Sequence, residues 1–108
     1  MFAVEPGLRL RVLFTEGTRR DHQNLDEVLL QQARDVGVDR AILSRAIDGF
    51  SSRERRRGDR QGLLVLEAVG DERAILGLQA RVQEFVVDAL VMTQRVQIAR
   101  RSRPSAPA

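Results

Sequence analysis

The order of the hydrophobic patterns constrains the fold of this 108-residue chain more than any other feature. Residues 8–15 alternate between apolar and polar side chains, which is typical of a strand with one buried face. Residues 25–36 place apolar side chains at helical spacing, and residues 71–86 do so again. Strand patterns at 41–47, 63–69 and 90–99 complete the order strand, helix, strand, strand, helix, strand.

The ends of both helices are marked in the sequence. Asn24 followed by Glu27 fits a capping box, and Gly37 is suited to end the first helix because glycine tolerates the left-handed conformation. Asp71 is the expected N-cap of the second helix. The apolar stripe of that helix consists of Ile75, Leu78, Val82 and Phe85, with Ala74 and Val86 beside it.

This order of elements is the split βαβ, or ferredoxin-like, arrangement, in which two crossover units form an antiparallel sheet with both helices on one face. Residues 63–66 are all apolar, so their strand is expected to be central and covered on both faces. Because helices cover only one face, a second subunit is expected on the other. We predict an α+β ferredoxin-like βαββαβ sandwich over residues 8–100, in an oligomer, with an N-terminal extension at 1–7 and a disordered basic tail at 101–108.

Composition excludes several classes of protein. No apolar run approaches the roughly 20 residues that cross a bilayer, and residues 1–7 lack a secretory signal, so we expect a cytoplasmic protein without membrane insertion. The chain has no Cys and a single His, which predicts no metal site and no cofactor. All 18 basic residues are Arg, which excludes mechanisms that need a catalytic lysine. The weak Asp21-His22 pair has no nucleophile beside it in sequence, so we expect no enzyme activity.

The positive charge is concentrated in two places. Residues 53–60 hold five Arg against two acidic residues, and Arg100, Arg101 and Arg103 lie at the C-terminal end. Together these stretches carry a net charge of +6, which leaves −3 for the rest of the chain. This pattern indicates an anionic partner at specific positions.

The connection from Gly49 to Gln61 is much longer than a turn between adjacent antiparallel strands requires. It is either a mobile loop whose guanidinium groups bind phosphates or carboxylates, or a solvated excursion without function. At its start, Arg45, Gly49 and Phe50 either contact a ligand or form an ordinary strand end with Phe50 in the core.

Two further features leave alternatives open. The polar residues 15–22, which include Glu16, form either an anion-binding turn before the first helix or a plain polar connection. Base stacking by a nucleic acid is not expected, because the chain has four Phe and no Tyr or Trp to stack on bases. Binding to a nucleic-acid backbone through the basic loop and tail remains an alternative.

Three stretches of the chain together resemble the DUF190 family of PII-like proteins. They are Leu8-Arg9-Leu10-Arg11-Val12 leading to Glu16, then Leu25-Asp26-Glu27 with Ala33-Arg34-Asp35-Val36-Gly37, and finally Leu43-Ser44-Arg45-Ala46-Ile47-Asp48-Gly49-Phe50. The resemblance spans roughly residues 8–100. Ala46 and Ser51 replace glycines of the family pattern, and His22-Gln23-Asn24 replaces its usual Gly-Lys-Pro.

The resemblance implies a PII-like homotrimer in which residues 49–61 correspond to the T-loop and nucleotides lie in clefts between subunits. We therefore expect a signalling protein that binds a small anionic ligand, with an adenine nucleotide favoured, and that acts on a protein target through the Arg-rich loop. A structural oligomer without a ligand is the remaining alternative. The candidate ligand-binding residues are Glu16, Arg45, Gly49, Phe50, Arg53, Arg55, Arg56, Arg57 and Arg60.

Overall fold

The computed structural model describes residues 3–15, 19–20, 23–46, 63–86 and 88–101. Eight elements follow one another in these ranges: β1 (Ala3–Thr15), β2 (Arg19–Arg20), β3 (Gln23–Asn24), α1 (Leu25–Val36), β4 (Arg40–Arg45), β5 (Leu63–Gly70), α2 (Glu72–Phe85) and β6 (Ala89–Arg100). The predicted order of four strands and two helices is confirmed. The short hairpin of β2 and β3 was not predicted and lies within the polar connection before α1.

The four long strands form one antiparallel sheet in the order β4-β5-β1-β6. Every second residue of β1, from Leu8 to Phe14, is buried, as period-two alternation predicts. The buried side chains of α1 and α2 join them in a single core. The α+β ferredoxin-like fold is therefore confirmed, with β5 in a central position as expected.

The helix ends confirm two of the three predicted caps. The Asp71 carboxylate accepts a hydrogen bond from the Ala74 backbone N–H at 2.8 Å, which starts α2. Gly37 ends α1 with φ of 81°, in the left-handed region that glycine enters without a Cβ clash. Asn24 occupies the N-cap position of α1, but its side chain makes no capping hydrogen bond. The predicted capping box is wrong in this respect, and the backbone of Asn24 pairs with Arg19 instead.

Burial along β5 alternates although its sequence does not. Leu64, Leu66 and Ala68 are buried beneath the helices, whereas Leu63 and Val65 are half-buried on the opposite side. Residues that pair directly across antiparallel strands share a face, so the register assigns every strand position to one side. We call the side without helices the open face. It exposes 58% of Ile42, 68% of Leu90 and 46% of Met92.

The N-terminal strand begins earlier than the pattern predicted. β1 starts at Ala3, and its residues 3–7 pair only with β6, because β5 ends opposite Leu8 at Gly70. A two-stranded ribbon therefore extends beyond the four-stranded sheet. Gly7 is buried in it, and a Cβ at that position would lie 2.7 Å from the Gly70 carbonyl oxygen. Residues 3–7 of the predicted N-terminal extension are thus an integral part of the sheet.

Candidate functional site

Several strand termini meet at one end of the sheet, which we call the loop end. β1 ends there at Thr15, which pairs with Leu63, the first residue of β5. β4 ends beside them at Arg45, opposite Leu64, and β6 begins at Ala89. The chain therefore enters residues 16–18 and residues 47–62 from the same end. Segments far apart in sequence are brought together by antiparallel topology alone.

Arg45 is the predicted ligand-binding residue that the structure describes. It is exposed, and it is the last residue of β4. The register places it across β5 from Phe14, so it lies about 10 Å from β1, two strand spacings away. Ala46, the next residue, is still hydrogen-bonded to β5, because its backbone N–H donates to the Leu63 carbonyl at 2.9 Å. This backbone hydrogen bond between β4 and β5 thus lies directly beside Arg45.

The other candidate residues lie outside the described residues. They are Glu16, Gly49, Phe50, Arg53, Arg55, Arg56, Arg57 and Arg60. Glu16 directly follows Thr15, and Gly49 follows Ala46 by three residues. Their attachment points are therefore at the loop end, on either side of β5.

The opposite end of the sheet, which we call the far end, is held by a charge cluster. Arg100 donates two hydrogen bonds to the Asp39 carboxylate, at 2.8 and 2.6 Å, and a third to Glu5 Oε1 at 2.5 Å. Asp39 precedes β4, and Glu5 lies in the ribbon. The Asp39 backbone N–H also donates to the Val69 carbonyl at 2.9 Å. Arg100, which the charge pattern grouped with the tail, is therefore the last residue of β6 and a structural contact.

These contacts favour the charged form of both Asp39 and Arg100, and the pKa of each group shifts accordingly. Hydrogen bonds from Arg100, helped by its charge, hold the pKa of the Asp39 carboxyl below its ordinary value. Hydrogen bonding to Asp39 and then to Glu5 raises the pKa of Arg100. All three side chains are substantially exposed, with 46% of Arg100 accessible, so solvent screens much of this attraction.

A further ion pair lies on the open face, where the Arg9 guanidinium contacts Glu67 across β1 and β5. Sequence analysis missed these three ion pairs, because the partners are 58, 61 and 95 residues apart in the chain. These ion pairs could be predicted from the antiparallel pairing of the strands, but only after the register of that pairing is known.

The described part of the chain offers no cluster of three or more His, Asp or Glu side chains suited to a metal ion. Among the same residues, neither helix combines the length and the apolar character needed to cross a membrane.

The fold is that of PII-like proteins, and several solved structures share it. CPII from Thiomonas intermedia K12 bound to ADP, AMP and acetate is 19% identical, with a TM-score of 0.66 over 91% of this chain and 93% of CPII. CPII bound to ADP and bicarbonate is 18% identical, with a TM-score of 0.64 and the same coverage. The B. subtilis GlnK–ATP complex is 11% identical, with a TM-score of 0.57 over 84% of this chain and 82% of GlnK.

The sequence also matches a family model. The model of DUF190, described as "Uncharacterized ACR, COG1993", covers residues 7–98. The chain therefore belongs to the DUF190 family, and the resemblance stated from the sequence is confirmed. No curated protein matches the chain.

Proposed function

We propose that this chain is a subunit of a PII-like regulatory protein that binds an adenine nucleotide at the loop end, in a cleft between subunits. Occupancy of the cleft is transmitted to a protein target through the Arg-rich segment 53–60. In this account the protein is a sensor that changes its surface when a ligand binds, and no chemical step is required.

One observation carries the proposal. A PII-like fold extends over 91% of the chain, and the similar CPII structure that shares it holds ADP and AMP. Fold alone does not define a ligand, so the residues of this chain have to supply the recognition. At the loop end they include an exposed guanidinium, Arg45, and the attachment points of a segment with five further Arg. Guanidinium groups bind phosphates through paired hydrogen bonds, which suits a nucleoside diphosphate.

Ala46 indicates how recognition differs from the family pattern. Its backbone N–H is already used by the Leu63 carbonyl, and its side chain replaces a family glycine. A phosphate is therefore not recognised by this N–H, and it has less room to approach the backbone here. Affinity at this position is expected to depend on side chains such as Arg45.

Assembly as a homotrimer is part of the proposal and is supported by the open face. Ile42, Leu90 and Met92 expose much of their apolar surface there, while the core residues of β1 and β5 on the other face are buried beneath the helices. Exposed apolar side chains on a continuous sheet surface are typical of a protein interface. Contact between copies through this face also provides the clefts that an intersubunit ligand site needs.

The position of Arg100 weakens the nucleic-acid alternative. β1 runs from the far end to the loop end over residues 3–15, a length of about 40 Å. Arg100 pairs with Ala3 at one end of this strand, whereas residues 47–62 leave the sheet at the other. Arg100 is also engaged by Asp39 and Glu5. The two basic stretches therefore join the sheet at opposite ends, and Arg100 is already paired with carboxylates of this chain.

Calorimetric titration with ADP, AMP and ATP tests the proposal. We expect at least one adenine nucleotide to bind, and Arg45→Ala to weaken its affinity about tenfold or more, since one charge-assisted hydrogen bond contributes about 1.5–3 kcal/mol. Arg73→Ala is the matched control, because Arg73 is also exposed but lies on α2 near the far end. Circular dichroism verifies that both variants fold.

Two results would contradict the proposal. One is the absence of binding heat with all three nucleotides at concentrations where the wild-type chain is folded. The other is an Arg45→Ala variant that binds as tightly as Arg73→Ala. Binding to single-stranded DNA that weakens steeply with salt would favour the nucleic-acid alternative instead.

A further inference from the structure

The open face contains a shallow depression near the middle of the sheet. It is lined by Arg9, Arg11, Met92, Thr93 and Gln94. The register places Arg11 directly opposite Met92 on β6 and opposite Glu67 on β5. Arg11 is exposed and is therefore accessible from the open side of the sheet.

Positive charge exceeds negative charge in and beside this depression. Glu67 is bonded to Arg9, although Arg11 is its direct partner in the register. Within the described part of the chain, Arg11 forms no hydrogen bond or ion pair with another residue. The centre of the face thus presents two guanidinium groups and one carboxylate, and the carboxylate is used by Arg9.

Apolar residues lie next to this unbalanced charge. Leu13 and Leu90 pair with each other beyond Arg11, and Val65 lies opposite Leu13 on β5. A surface of this kind favours contact with a second copy of the chain. However, such contact removes water from Arg11, and a buried guanidinium without a counter-charge strongly opposes association. An anion bound to Arg11 would offset this penalty and so strengthen the contact.

We propose that Arg11 forms a binding site for a small inorganic oxyanion on the open face, and that the bound anion strengthens the contact of a second copy with this face. The planar guanidinium donates two parallel hydrogen bonds to an oxyanion, and the Gln94 amide, diagonal to it across the β1–β6 pair, is a further donor. This inference rests on the oligomer in the proposed function, but not on its nucleotide site. Anion binding and assembly are then coupled, and each strengthens the other.

Sedimentation velocity on the full chain tests this coupling, with chloride replaced by sulfate at constant ionic strength. We expect sulfate to lower the dissociation constant of the oligomer about 5- to 150-fold, the usual range of coupling between two binding events. Arg11→Leu removes the charge and keeps an apolar side chain, so this variant should assemble at least as tightly as the wild type and without dependence on sulfate.

Arg95→Leu is the control. Arg95 is also an exposed arginine of the sheet, but it pairs with Leu8 on the side that the helices cover. This variant should retain the sulfate dependence of the wild type.

Each other outcome overturns the proposal. A sulfate effect that persists in Arg11→Leu places the anion elsewhere. A wild type indifferent to sulfate, with weaker assembly of Arg11→Leu, means that a carboxylate of the neighbouring copy pairs with Arg11. A chain that stays monomeric in every anion removes both this site and the trimer. Nucleotide affinity, measured separately by calorimetry, shows whether the ligand part of the proposed function survives.

Discussion

The two ends of the sheet use arginine in different ways. At the far end, Arg100 is bonded to Asp39 and Glu5, so its hydrogen-bonding capacity is directed within the chain. At the loop end, Arg45 is exposed at the last position of β4, next to the segment that holds five more Arg. The far end joins the ribbon to the turn before β4, whereas the loop end gathers the attachment points of the longest connection.

This difference shows that the number of arginines does not define a binding site. Both ends are rich in positive charge in the sequence, but at the far end neighbouring carboxylates neutralise Arg100. We therefore expect changes at the loop end to alter ligand or partner binding. Changes at the far end should alter the free energy of unfolding and leave binding unaffected.

The largest expected effect comes from replacing Arg55, Arg56 and Arg57 together with Ala. If the segment binds an anion or an acidic partner, each lost charge-assisted contact costs about 1.5–3 kcal/mol, so loss of two contacts weakens affinity at least a hundredfold. The free energy of unfolding should change by about 0.5 kcal/mol or less for each substitution, as is usual at exposed positions. Calorimetric titration and urea unfolding measure the two effects.

A variant with Arg34, Arg73 and Arg95 changed to Ala is the matched control. It removes the same total charge from exposed positions on α1, α2 and β6. If both triple variants lose affinity equally, general electrostatic attraction explains the binding and the loop end is not special. If only the control loses affinity, the comparison between the two ends is wrong.

A smaller effect, on stability alone, is expected from Arg100→Gln at the far end. The hydrogen bond from Arg100 lowers the pKa of Asp39 from its ordinary value of 3.8, so the ionised carboxylate stabilises the folded state above that pH. This contribution is lost as pH falls through the lowered pKa. Arg100→Gln should therefore reduce the free energy of unfolding at neutral pH, and its difference from the wild type should narrow below about pH 3.8.

Urea unfolding at neutral and acidic pH measures this difference, and nucleotide titration at neutral pH provides the control. We expect the nucleotide affinity of Arg100→Gln to equal that of the wild type. A difference in stability that stays constant or widens on acidification would show that Arg100 does not act through the carboxylates. Reduced nucleotide affinity would show that the two ends are coupled.

Local sequence signals predicted local structure well. The Asp71 cap, the Gly37 helix end and the alternating burial of β1 each depend on neighbouring residues in the chain, and the structure contains all three. The start of β1 was missed because residues 3–7 include Pro6 and Gly7, which are uncommon in strands. Their strand conformation comes from pairing with residues 96–100 of β6.

Local sequence patterns could not predict the contacts between residues far apart in the chain. Arg100 looked like part of a basic tail because nothing near it in sequence shows that Asp39 and Glu5 will be its neighbours. The candidate site was predicted in part. Arg45 was identified from its position before the long connection, and the topology places it at the loop end. The depression around Arg11 was not predicted, because the alternating pattern predicts only that this residue faces solvent from a strand.

Hydrogen–deuterium exchange with and without ADP tests most directly whether the ligand site lies at the loop end. Among amides that exchange by local opening, we predict slower exchange with ADP in peptides that span residues 40–46 and 63–66, where β4 and β5 meet. Peptides from the ribbon, residues 3–7 and 96–100, should be unchanged, and Arg45→Ala should need about tenfold more ADP for the same slowing. Slower exchange confined to the ribbon, or no change at either end at saturating ADP, would contradict the account.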